Sequence, residues 1–126
     1  VSTLDVTDLH ALTRDLGNAA QHIERDVTAV VSRGALNIKR DAVRLISGHP
    51  RSKHYPLTIG YDITTDSDGI LAEIGPDKDR RQGGLGNILE YGTSKNAPLP
   101  HLGPALLAEE PRFAAAMETV ASDALR

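Results

Sequence analysis

The chain has no cysteine and no tryptophan, and its aromatic side chains are one Phe and three Tyr. Without cysteine there is no disulfide, no thiolate nucleophile and no thiolate-ligated zinc, a usage that fits a reducing compartment. With so few rings, Leu, Ile, Val and Ala must do most of the packing. The expected core is thin, with part of the stability coming from neighbouring chains. No apolar run approaches the length needed to cross a bilayer. The first residues, VSTLDVTDLH, place two Asp where an export signal needs basic residues and then an apolar stretch. A soluble protein made in the cytoplasm and not exported by such a signal is expected.

At 126 residues the sequence suits one domain, 1–126. The formal charge of −3 is unevenly spread: residues 1–54 hold eight Lys/Arg and six Asp/Glu, residues 55–126 six and eleven. Neither half has the basic excess of a nucleic-acid binder. The cationic cluster Lys78, Arg80 and Arg81 is interrupted by Asp77 and Asp79.

The periodicity divides the chain into four parts. Over 1–48, Leu9, Leu12, Leu16, Ala20, Ile23, Val27, Val30, Gly34, Ile38, Ala42 and Leu45 recur every three or four positions, the spacing of one buried helical stripe. Thr7 or Asp8 is a candidate cap. Gly17-Asn18 divides the stripe into a short and a long helix, since Gly is costly inside a helix and Asn prefers caps. Gly34-Ala35 marks a close helix crossing, and Gly48 with Pro50 ends the pattern. Over 55–75, Leu57, Ile59, Tyr61 and Ile63 alternate with polar residues, as do Ile70, Ala72 and Ile74 after the turn TDSDG. That predicts an antiparallel hairpin lying on the long helix. Over 104–125, a helical turn from Pro104 to Glu109 precedes a terminal helix starting at Pro111, with Phe113, Met117, Val120 and Ala124 on one stripe. Glu109-Glu110 then sits near a helix start. The expected fold is α+β: a long N-terminal helix, a small antiparallel sheet, an ordered Gly/Pro-rich loop over 77–105, and a C-terminal helix.

The chemistry-bearing patterns are weak. GGLGN at 83–87 fits neither glycine-rich phosphate motif, and its glycines read as tight turns or intimate backbone packing. His49, His54 and His101 lack the spacing of a metal site, as do His10 and His22. Thr93 and Ser94 near Glu90 and His101 form no nucleophile elbow, and Asp66 and Asp68 suit an Asx turn. No catalytic residue, metal or cofactor is expected, and the protein reads as a non-enzyme. In the remaining stretch, NILEYGTSKNAPLPHLGPA, Leu89 and Tyr91 can pack while Glu90 faces away, Gly92 ends a short helical turn, and APLP runs extended. Ordering so long a loop requires compensating contacts, which favours an interaction role.

RRQGGLGNILEYGTSKNAPLPHLGPAL resembles the signature of minor structural proteins of long-tailed phages: tail-completion, neck or head–tail joining proteins. One element of the form N-x-x-E-x-G-T/S is Asn87, Glu90, Gly92 and Thr93. A second, A-x-P-x-L-x-P-A, is Ala97, Pro98, Pro100, Leu102, Pro104 and Ala105. With YPLTIGYDI as the family's first strand, the likeness covers most of residues 20–125. The chain departs from the pattern where HPRSKHYPL replaces an A-P-x-D-T-G-x-L stretch, and where His101 replaces an aromatic, a form similar to the actinobacterial-phage branch. The resemblance implies a virion protein at the head–tail junction or upper tail. It implies a ring, with a hexamer favoured over a dodecamer, touching neck, tail-terminator or tail-tube proteins and passing DNA without specific binding. A nucleic-acid-binding accessory at the exit channel and a capsid-bound minor protein are the alternatives. On this reading the interface lies in 77–105. Leu85, Leu89, Tyr91, Leu99 and Leu102 serve as apolar anchors, and Lys78, Arg80, Arg81, Asn87 and Glu90 as polar contacts.

Overall fold

The computed structural model describes residues 6–126, with side chains from residue 9 onward. It is an α+β fold in which a helix α1 (Val6–Ile46) supports a hairpin of β1 (Ile59–Asp66) and β2 (Gly69–Pro76). A short helix α2 (Gly86–Tyr91) and a terminal helix α3 (Leu102–Ala124) follow. Residues 1–5, half of the stretch read for an export signal, lie outside the described residues.

The C-terminal half of α1 carries the core. Ile38, Ala42 and Ile46 are buried together with Tyr55, Ile59 and Ala105, and Leu85, Leu89, Leu99 and Leu102 pack around them. α3 runs antiparallel to α1, tied by Asn37 Nδ2 donating to Glu109 Oε1 (3.1 Å) and by the Arg112–Asp41 ion pair (3.2 Å). Gly34 marks the crossing as expected: a Cβ there would stand 3.4 Å from the Phe113 ring.

The hairpin pairs in continuous register from Ile59↔Pro76 to Asp66↔Gly69. Asp66 Oδ1 accepts from the N–H groups of Asp68 and Gly69, the Asx turn its sequence predicts. Ile59, Tyr61 and Ile63 face α1 together with Ile70, Ala72 and Ile74, while the intervening residues are more exposed.

Six expectations are corrected. α1 is not divided at Gly17-Asn18, because Gly17 touches nothing that would bend the helix there and propagation carries through one poor residue. Thr7 and Asp8 lie inside it, since it already runs from Val6. The apolar stripe is buried only in part. Residues 12–25 are all exposed, Leu16 at 63%, because α3 ends before it can cover them. Leu57 is not a strand residue: Pro56 starts a 3₁₀ turn over Tyr55–Thr58, closed by Thr58 Oγ1 donating to Tyr55 O (2.7 Å), and Leu57 is 72% exposed. Finally, α3 is one helix with Pro111 inside it. The carbonyl that Pro111 leaves without an N–H belongs to Leu107, itself 67% exposed, where water can serve it. Glu109 is therefore mid-helix and buried instead of marking a helix start.

The glycines of the 83–86 segment allow close packing. A Cβ on Gly83 would collide with the Asp77 carbonyl, and one on Gly86 would stand 2.6 Å from Pro76 Cγ. Gly84 faces open space. Gly83→Ala should therefore lower unfolding stability by roughly 1–3 kcal/mol, the usual cost of overpacking. Gly84→Ala should stay within about 0.5 kcal/mol of the parent in urea melts.

Candidate interaction surface

Within the loop of residues 77–105 one carboxylate ties α2 to the start of α3. Tyr91 turns away from α2's inner face, and Glu90 turns inward, the reverse of the expected pattern. Leu85, just before this six-residue helix, and Leu89 within it share the buried side, and Glu90 follows beside Leu89. Glu90 Oε1 accepts from the N–H groups of His101 (3.1 Å) and Leu102 (2.8 Å), and Oε2 from Gly103 (3.2 Å). These are amides of the first turn of α3 that have no intrahelical partner, and the negative charge complements the helix dipole. His101, the N-cap residue, supplies no side-chain cap of its own. Glu90 caps the helix from a distance.

The same carboxylate reaches a buried ring. His101 Nδ1 lies 3.2 Å from Glu90 Oε1 and 2.9 Å from the Leu99 carbonyl, an acceptor only, so Nδ1 carries the proton. Nε2 on the other side of the ring lies 2.8 Å from Tyr55 OH and hydrogen-bonds to it. Both rings are fully buried and meet edge-to-face, with centroids 5.3 Å apart. His101 thus packs as an aromatic ring would and hydrogen-bonds besides. Burial alone would raise the Glu90 carboxyl, but the three amides and His101 outweigh it and hold it below the usual carboxylate value. Burial, assisted by the Glu90 charge, pushes Tyr55 up to about 12.

Other loop residues close the frame. Gln82 sits at φ +66, where its Oε1 accepts from His54 N (2.7 Å) and its Nε2 donates to Arg51 O (3.0 Å). Gly92, at φ +75, ends α2 as its sequence predicts; a Cβ there would stand 2.8 Å from both Asn96 O and Pro98 N. Thr93 Oγ1 accepts from the N–H groups of Lys95 (3.3 Å) and Asn96 (3.1 Å).

The ten proposed contact residues separate into two groups. Leu85, Leu89, Leu99, Leu102 and Glu90 are engaged within the chain. Tyr91 (78% exposed), Asn87, Lys78 and Arg81 face solvent, and Arg80 is exposed while donating from Nη1 to Leu57 O (3.0 Å). Two apolar surfaces were missed by reading 77–105 alone. One is the exposed stripe Leu9, Leu12, Leu16 and Ile23 on α1; its period was visible, but its lack of a cover was not. The other is a groove between β2 and α3. Among the described residues no three His, Asp or Glu side chains converge as metal ligands would, and no helix is long and apolar enough to cross a membrane. Compared with protein-family models, curated proteins and solved structures, the chain matches none.

The capping carboxylate makes stability depend on pH at both ends. Glu90's contribution is complete above the ordinary carboxyl value of 4.5 and is lost as pH falls through its lowered folded value. Glu90→Gln should cost roughly 1–3 kcal/mol at pH 7, the range for hydrogen bonds to a charged group, with the gap to the parent narrowing on acidification below that value. Tyr55 acts in the opposite sense: its contribution is complete below 10 and disappears as pH rises toward about 12. Urea melts of parent, Glu90→Gln and Tyr55→Phe across pH measure both limbs. Equal pH profiles for parent and Glu90→Gln would contradict the capping role.

Proposed function

We propose that this chain is a structural virion protein that forms a ring at a phage head–tail junction and completes the neck or tail for joining. The observation that carries the reading is the stripe of Leu9, Leu12, Leu16 and Ile23, left exposed on a helix that extends beyond its own fold. The exposed residues 12–25 of this helix span about 21 Å. A helix segment of this kind is marginal in water unless its apolar face is covered. A chain that invests a third of its main helix in such a projection is suited to assembly. The phage-like signature supports the same reading from the other side: its Glu90, Gly92, Thr93 and Leu102 build a rigid frame that fixes where α3 begins.

In this reading the projecting helix and the outward residues Tyr91, Asn87, Lys78 and Arg81 meet a neighbouring copy and the adjoining neck, tail-terminator or tail-tube proteins. One head-to-tail interface reused around a closed ring, most simply a hexamer, satisfies every copy. The charged residues act as a rim that sets register more than affinity. Genomic DNA passes without specific binding, consistent with a net charge of −3.

Replacing Leu12 and Leu16 together by Glu should leave the melting curve nearly unchanged, because both side chains are exposed in the single chain. It should abolish ring formation in mass photometry and leave filled heads apart from finished tails when the variant replaces the parent gene. Normal infectious virions from the variant, or from a gene deletion, would refute the joining role. Tight DNA binding that weakens steeply with salt would instead favour a nucleic-acid accessory.

A further inference from the structure

We infer that the groove between β2 and α3 is a docking site for an extended segment of another protein chain, which adds a strand to the outer edge of β2. The inference stands independently of the head–tail reading.

Three features of the groove identify the occupant. The first is a mismatch of layers. α1 and α3 lie side by side, which spans two helix widths of about 8–10 Å each. Among the described residues the sheet above them has two strands, about 4.8 Å apart, enough to cover one helix. The groove is lined by Ile70, Ala72 and Ile74 of β2, by Leu106 and Phe113 of α3, and by α1 at its floor; β1 contributes nothing. α3 therefore lies beyond the outer edge of β2, and the space over it, about 230 Å³, is where the next strand of the sheet would run.

The second feature is the backbone. Asp77 N donates to Thr58 O at 2.9 Å, so 58 and 77 form a hydrogen-bonded pair, and the register alternates from there. Gly75, Glu73, Leu71 and Gly69 turn their N–H and C=O groups toward β1. Ile74, Ala72 and Ile70 turn theirs outward, to the side where the groove lies. These are the same residues whose side chains line it. A row of outward-facing amides beside apolar side chains is what an added strand pairs with, and a helix or small apolar molecule would leave those groups unmatched.

The third feature is the lack of edge protection. β2 is eight residues long in unbroken register, with no Lys and with its only Pro at the last position. Proteins that must keep an edge unpaired blunt it with bulges, Lys or Pro within the strand. The only charged residues lining the groove are Glu109 and Glu110. Glu109 is buried; its Oε2 lies 2.9 Å from Arg112 Nε yet outside hydrogen-bonding geometry, while Glu110 is exposed. The fitting partner is therefore a segment of about six residues, a common strand length, apolar at alternate positions and carrying Lys or Arg at one end.

An array of synthetic peptides with Val, Ile or Thr at alternate positions and Lys at either end supplies the probe. Peptides that bind should shift the backbone amide resonances of Ile70, Ala72 and Ile74. Ala72→Pro removes an outward N–H without touching the hairpin ladder and should weaken binding at least about tenfold. Thr65→Pro places the same residue on the opposite edge and should leave binding intact. Leu106→Glu changes a half-exposed side chain on the groove wall, so it reports on the site even where a Pro variant unfolds, and it too should weaken binding about tenfold or more. No binder in the array, amide shifts confined to other residues, or binding unaffected by Leu106→Glu would each overturn the inference.

Discussion

The carboxylate of Glu90 is the interaction on which the arrangement of the second half of the chain depends. It takes up three otherwise unpartnered amides at the start of α3 and faces His101, whose ring in turn hydrogen-bonds to Tyr55. A 23-residue helix is thereby given a fixed origin by a group eleven to thirteen residues upstream. The extended stretch between them is pulled against α2 by Leu99 N donating to Leu89 O (2.7 Å). Remove the charge and the helix start, the loop and the buried aromatic pair lose a common partner.

The frame explains how a chain with one Phe and three Tyr orders a loop of nearly thirty residues. The apolar core is small, as its composition implies: Ile38, Ala42, Ile46, Tyr55, Ile59 and Ala105 are its buried members. Polar contacts do the remaining positioning, with Gln82 joining the loop to the 3₁₀ turns and Thr93 organising the turn after α2. Glycines 83, 86 and 92 let backbone segments approach where a methyl group would not fit. The buried residues of the loop are consumed inside the fold. Surfaces for other chains are left at its edges: the projecting α1 stripe, the outward face of α2, and the open side of the hairpin.

Much of the element order was legible because it rests on local rules. The helical period, the alternation in the hairpin, Asp66 in its turn, Gly48 and Gly92 at helix ends, and Gly34 at a crossing each follow from covalent geometry and nearby backbone groups. The errors share a cause. Gly17 and Pro111 looked like boundaries, yet the helix runs through both, Gly17 lying in an exposed stretch and the carbonyl that Pro111 frees belonging to exposed Leu107. Leu57 fitted the strand period but belongs to the turn that Pro56 begins. Glu90 was taken to face outward because its partners, the amides of 101–103, are distant in sequence and carry no side-chain signal.

The sequence by itself determined which segments are helix or strand, where the chain turns, and that its core is thin. Propensity, period and glycine placement act over a few residues, so they are readable without knowing the rest. Tertiary structure alone decided which part of a uniform stripe is buried. That depends on where α3 starts and ends relative to α1, and on a single carboxylate that sets that start. It also decided that β2 is left with an open edge beside α3, since the width of a sheet relative to its helices is a property of packing and is written in no local pattern.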